Sequence, residues 1–171
     1  MSIDHYLASI YPGNSNPIIR FYCWKPFCIS LGIHQKKHIL NIQKLKDEGI
    51  EAVRRPTGGR AIFHANELTY SIIIAKKNIQ HRILYQFMHL IIAKALNAIG
   101  YSVSLNITNN RLPALKNSTL DSICFTHSAQ TEIQYSGKKV VGSAQKIYKK
   151  TILQHGSILI DQKHKKIIDF L

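Results

Sequence analysis

Acidic residues are scarce in this chain of 171 residues: nine Asp and Glu stand against 23 Lys and Arg, for a formal net charge of +14. Such a field attracts acidic partners of any kind, nucleic acid and acidic carrier proteins alike, and by itself selects none. No helical stretch concentrates Arg and Lys with interleaved aromatics, so no nucleic-acid partner is expected. Long apolar runs are also missing. Leu68 to Ala75 and His89 to Ala95 are the longest, far short of the roughly 20 residues of a spanning helix, and no membrane association is expected. The opening MSIDHYLASI carries Asp4 and has neither a basic leader region nor a small-residue cleavage site, which argues against a signal peptide and for the cytoplasm. Cysteine is rare: Cys23, Cys28 and Cys124 form no CxxC pair and are odd in number. That excludes a zinc ribbon and a disulfide framework and predicts reduced thiols, with no metal site. Internal repeats and low-complexity tracts are absent as well.

What is present suits one compact domain over residues 1–171, since 45% hydrophobic composition at this length supports one core but not two. Residues 18–24 (IIRFYCW) and 27–32 (FCISLG) are β-rich and separated by Pro26. Residues 38–49 place Ile39, Leu40, Ile42 and Leu45 at helical spacing and stop at Gly49. After EAVRR, the TGGR turn, AIFH and LTYSIIIA, a long helix is predicted from Gln80 to Ala98. Its apolar stripe comprises Ile83, Leu84, Phe87, Met88, Ile91, Ile92, Ala95 and Leu96, and Gly100 is its stop. The polar stretch 109–122 shows no periodicity and reads as a mobile surface loop. TEIQY and KVVGSAQKIY then form a hairpin across residues 136–138, followed by TILQHGSILI and a basic segment that begins a last helix. The alternation is α+β, a mixed or antiparallel sheet with flanking helices.

Two constellations carry chemistry. In RRPTGGRAIFH, residues 54–64, three arginines and a histidine surround Gly58 and Gly59. Glycine lets backbone approach a ligand and offers its N–H groups to an acyl oxygen or a phosphate, although a plain hairpin with exposed arginines uses the same residues. The second joins Cys124 in DSICFTHSAQ with Lys139 in GKKVVGSAQ. A thiol accepts an acyl group as thiolate, and a cationic neighbour lowers its pKa from about 8.5. Lys139 could supply that charge, or stabilise a developing oxyanion. A lone cysteine is more often a small buried hydrophobe, and Cys23 and Cys28, on predicted strands, are read as core.

Four ordered stretches, IRFYCWKPFCISLGIHQ, RRPTGGRAIFHANELTYSI, GKKVVGSAQK and ILQHGSILI, closely resemble the family of lipoate-protein ligase A and the octanoyltransferases. MSIDHYL resembles the family's first helix, with His5 where an acid is usual. The resemblance implies the biotin/lipoate protein ligase catalytic-domain fold, shortened at both ends. Members usually have a strand before that helix and more helices after the HGSILI strand. It further implies that Arg54, Arg55, Thr57, Gly58, Gly59, Arg60 and His64 bind substrate. Gly142, Ser143, Ala144, Gln145, His155 and Gly156 would wall the acyl pocket, strand packing being the plain reading of Gln145 and His155.

Cys124 matches the cysteine of the octanoyltransferases, and Lys139 is the second catalytic candidate. The implied reaction takes an octanoyl or lipoyl group from acyl carrier protein to the Cys124 thiolate. It then passes to a lysine of a lipoyl-domain protein or of the glycine cleavage H protein, without a cofactor. In the ATP-dependent ligases an Asn-Asp pair seven residues before the lysine helps hold the metal-bound nucleotide; here it reads Thr131-Glu132. The ligase, using ATP and Mg, is therefore the alternative, and a shortened non-catalytic protein that binds acyl groups or lipoyl domains is a further one.

Overall fold

The computed structural model describes residues 1–13, 15–76, 80–107 and 131–171. Helix α1 is Ser2–Ile10, followed by β1 (Ile18–Tyr22), β2 (Cys28–Leu31), α2 (Ile42–Asp47), β3 (Glu51–Arg54), β4 (Ile62–His64) and β5 (Glu67–Ala75). The chain continues through α3 (His81–Ala98), β6 (Val103–Ile107), β7 (Thr131–Tyr135), β8 (Lys138–Lys139), β9 (Val141–Ile147) and β10 (Thr151–Leu159) to a 3-10 segment, Lys163–Phe170. The strands form three sheets: antiparallel β1-β5-β10-β9, mixed β3-β2-β4, and antiparallel β6-β7-β8. The expected α+β class and mixed pairing are found.

Period-two alternation explains how the largest sheet is covered. β5 and β10 lie antiparallel with Ile73 opposite Leu153 and Ser71 opposite His155, so these residues share the face that α1 covers with Ala8 and Tyr11. The opposite face carries Tyr70, Ile72 and Ile152 against Leu84, Met88 and Ala93 of α3 and Ile133 of β7. A separate core joins the mixed sheet to α2 and the C-terminal segment through Ile29, Leu31, Phe63, Leu45, Ile167 and Phe170.

Asp4 ties α1 to its sheet. It is fully buried and paired with Arg20, and it accepts the hydroxyls of Tyr22 and Ser71 at 2.7 Å each. His5, by contrast, is exposed and contacts the Tyr148 hydroxyl. Removing one partner of a buried pair leaves the other charge uncompensated, so Asp4→Ala should cost about 3 kcal/mol or more. Urea unfolding measures it, and a loss below about 1 kcal/mol, the worth of a surface pair, would contradict this account.

Five expectations change. The segment 38–49 is not one helix: a 3-10 turn, Lys37–Ile39, precedes α2, because Asn41 is extended and caps the Lys44 N–H with its side chain. The stretch after the 136–138 turn is two strands in two sheets, broken at Val140, whose N–H donates to Ile133. The basic C-terminal segment is 3-10. In α3, Leu84 and Met88 are buried, whereas Ile83, Phe87 and Ile91 are 55%, 54% and 45% exposed and His89 is buried instead. The sheet contacts one edge of the wide stripe, rotated toward 85, 89 and 93. Finally, Cys28 is buried but Cys23 is exposed, since it lies just beyond the end of β1. The predicted loop 109–122 lies outside the described residues. Among those described, no helix is long and apolar enough to cross a membrane.

Candidate functional site

Where β10 runs between β5 and β9, register places His155 between Ser71 and Ala144, and Ser157 between Thr69 and Gly142. The loop joining β3 to β4 packs against this face, leaving a cleft that encloses about 360 Å³, part of it open to solvent. Its wall brings together Arg55, Gly59, His64, Gly142, Ser143, Ala144, His155 and Gly156, all expected from the sequence, with Met1, Ile62, Thr69 and Ser157.

Arg55 and the expected residues that do not line the cleft give it its shape. The buried Arg55 guanidinium organises the loop: Nη2 donates to the carbonyls of Gly58 at 3.1 Å and Arg60 at 2.6 Å, and Nη1 to the Ser30 carbonyl at 2.9 Å. Thr57 latches the loop to β10, its Oγ1 lying 2.6 Å from His155 Nε2. Arg54 turns away, and its Nη1 donates to the carbonyls of Gly32 at 2.8 Å and Ile33 at 3.1 Å. Gln145 belongs to the other face of the sheet, with Nε2 donating to Gln154 Oε1 at 2.9 Å. Gly32, just after β2, lies tight against the loop: a Cβ there would stand 1.9 Å from the Gly59 carbonyl oxygen. Lys139 ends β8 as half of a largely buried ion pair, Nζ 3.1 Å from Glu132 Oε1. Cys124 lies outside the described residues.

Beneath the cleft runs a buried polar line. Ser30 Oγ is 2.6 Å from His64 Nε2, and His64 Nδ1 is 2.6 Å from Glu67 Oε1. The same Glu67 oxygen accepts the Thr69 and Ser157 hydroxyls at 2.7 Å each, and Trp24 stacks on the imidazole with centroids 4.4 Å apart. The order matches a Ser-His-acid triad, but Ser30 is fully buried and its Oγ accepts from Arg55 Nη1 at 3.1 Å. A nucleophile must reach its substrate; this serine orients His64. Glu67, Thr69, Ser157 and the buried His89 of α3 are absent from the sequence-based set. A signal existed for Glu67, a carboxylate at the head of an otherwise apolar strand, because such a group requires partners.

Two histidines are held neutral. Burial, reinforced by the Arg55 charge, pushes His155 down to about 3; burial, then the charge of Lys139, pushes His89 down to about 4. An unfolded imidazole takes a proton near pH 6.5. Between that pH and the folded values the unfolded chain binds more protons, so stability falls with acidification at up to about 1.4 kcal/mol per pH unit for each histidine. Urea midpoints measured from pH 7 to pH 4 should decline accordingly; a flat profile would contradict the burial of both rings.

Residues 1–171 match the model of the lipoyl protein ligase A/B catalytic domain. Octanoyltransferase LipM of Clostridioides difficile is 36% identical over 177 residues, covering 100% of this chain and 64% of the relative. Among solved structures, lipoate-protein ligase A bound with ATP superposes with a TM-score of 0.79 at 22% identity, over 98% of this chain and 64% of that one. A bipartite lipoate protein ligase from Thermoplasma acidophilum, studied with its E2 lipoyl domain, gives 0.76 at 20% identity over 98% and 58%. The chain thus spans less than two thirds of the length of the relatives it matches. With the match running from the first residue to the last, it belongs to the lipoyl protein ligase A/B catalytic domain family.

Proposed function

We propose that the chain is an octanoyltransferase domain that modifies lipoyl-domain proteins in the cytoplasm without a nucleotide. The observation that carries this reading is the cleft, where the glycine-rich loop and the β9–β10 walls converge, in a chain 36% identical to an octanoyltransferase. Small residues, Gly142 and Ala144, leave room for an acyl chain, and the polar groups are fixed by their own partners.

In the first step the Cys124 thiolate attacks the carbonyl carbon of an octanoyl thioester on acyl carrier protein. A C–S bond forms, the carrier's C–S bond breaks, and the carrier leaves as thiolate. In the second, a lysine amine of a lipoyl domain or of the glycine cleavage H protein attacks the enzyme thioester. Cys124 departs and takes up the amine's proton. Each step exchanges an activated acyl bond for an equal or more stable one, so ATP has no energetic role. Lys139 contributes a fixed ammonium, and its pairing with Glu132 gives that carboxylate a protein cation as partner in place of a nucleotide-bound metal.

Mixing the protein with octanoyl carrier protein in the absence of ATP and magnesium should add one octanoyl group to its intact mass. Acylation that requires free octanoate and ATP would assign the ligase activity instead, and binding without any covalent adduct would assign a non-catalytic role.

A further inference from the structure

The face of α3 that meets the large sheet is apolar through Leu84, Met88 and Ala93, with one exception. His89 is 1% exposed, its Nε2 is 2.8 Å from Ser143 Oγ, and its Nδ1 has no partner among the described residues. Tyr85, one turn earlier, donates its hydroxyl to the Ser143 carbonyl at 3.2 Å and sets its ring edge-on to His89 with centroids 4.2 Å apart. α3 therefore grips both the backbone and the side chain of one residue on β9. Ser143 Oγ is also 2.6 Å from the Tyr70 hydroxyl, which receives Gln154 Nε2 at 3.2 Å. A Cβ on Gly156 would stand 2.8 Å from that Oγ, so the bare glycine makes space for the cluster.

Donor directions in this cluster can be assigned. An amide nitrogen only donates, so the Tyr70 oxygen receives from Gln154 and its own proton goes to Ser143. A buried N–H without a partner is rarer than an unfilled lone pair. The unpartnered Nδ1 is therefore the bare nitrogen, and Nε2–H donates to Ser143. Burial and the Lys139 charge keep the ring neutral, with a pKa pushed down to about 4. A polar group left half-satisfied in an apolar interface costs stability that a leucine would not. Such exceptions to local packing rules concentrate at functional positions, and this one contacts, through Ser143, the segment that leads from Lys139 into the cleft wall at Gly142, Ser143 and Ala144.

We infer that His89 is a positioning residue for acyl transfer: acting through Ser143, it fixes the segment 139–144 so that Lys139 and the cleft wall serve one reacting centre. The assignment rests on the acyl-transfer reading. In single-turnover acylation of the full chain by octanoyl carrier protein, His89→Leu should lower the rate about 10- to 100-fold, as expected for small misplacement of reacting groups. Donor KM should stay within about twofold, the signature of an effect on the reacting state rather than on binding. The melting temperature should hold or rise. His89→Gln, which restores a donor, should recover most of the rate, and His89→Leu combined with Ser143→Ala should be no slower than the slower single variant. On the wild-type protein, nitrogen NMR should find His89 protonated at Nε2.

A wild-type rate in His89→Leu, a loss confined to KM, additive single effects, a His89→Leu that unfolds, or an Nδ1–H tautomer would each overturn the assignment. If the wild type takes no label from the donor, the acyl-transfer reading falls and this assignment with it. Labelled wild type with an unaffected variant removes only the role of His89.

Discussion

Replacing Cys124 by alanine should abolish acylation while leaving the melting temperature unchanged. The thioester intermediate needs a sulfur nucleophile, and no described residue offers one at the cleft: Cys28 is buried, its thiol pushed up to about 12 by burial and by the Glu51 charge, and Cys23 is exposed just after β1. Loss of a nucleophile that acts as part of a unit costs at least about 10³-fold. Intact mass after incubation with octanoyl carrier protein gives the result directly, with hydroxylamine treatment to show that the wild-type adduct is a thioester. Full labelling of Cys124→Ala would move the chemistry to another residue, and unfolding would make the cysteine structural. Lys139→Ala addresses the partner group: slower adduct formation with its pH profile displaced upward identifies the ammonium as a stabiliser of thiolate. Slowing without displacement identifies it as a stabiliser of the oxyanion.

Gly32→Ala should be nearly as damaging from a position outside the cleft. A methyl group at residue 32 would overlap the Gly59 carbonyl oxygen at 1.9 Å and lie 2.9 Å from the Gly59 carbonyl carbon. Backbone on both sides cannot rotate away as a side chain can, so the glycine-rich loop must move by about an ångström. Overpacking of this kind typically costs 1–3 kcal/mol, so a loss of about 2 kcal/mol is expected in urea unfolding. The displacement of Gly59 and Arg55 from the cleft wall should slow acylation about 10²-fold. Both quantities can be measured on one preparation. Normal stability and a normal rate would mean that the loop takes no part in the acyl site.

The residues that the sequence made legible are those whose reasons are local. Gly58 and Gly59 between arginines announce a loop that approaches something closely, and the apolar spacing from Leu84 to Leu96 announces a helix. The alternation in TYSII and ILQHGSI announces strands, and the ordered motifs announce a family. Each follows from one segment's own period or turn chemistry. The pairing of β10 with β5 and β9 is not local, and it alone brings His155 beside Ala144 and Ser157 beside Thr69. Sequence also cannot distinguish Arg54 from Arg55. They are adjacent and identical in type, yet strand alternation sends one outward to the carbonyls of Gly32 and Ile33 and the other inward to Ser30, Gly58 and Arg60. His89 was hidden in the same way, as one polar letter among several in an amphipathic helix, because its partner lies 54 residues away on a strand. Nor does the sequence show that Glu132 meets Lys139, a contact that the pairing of β7 with β8 sets up. Helix period and turn chemistry are short-range properties of a chain, whereas partner choice for a buried polar group is set by which faces the sheets bring together.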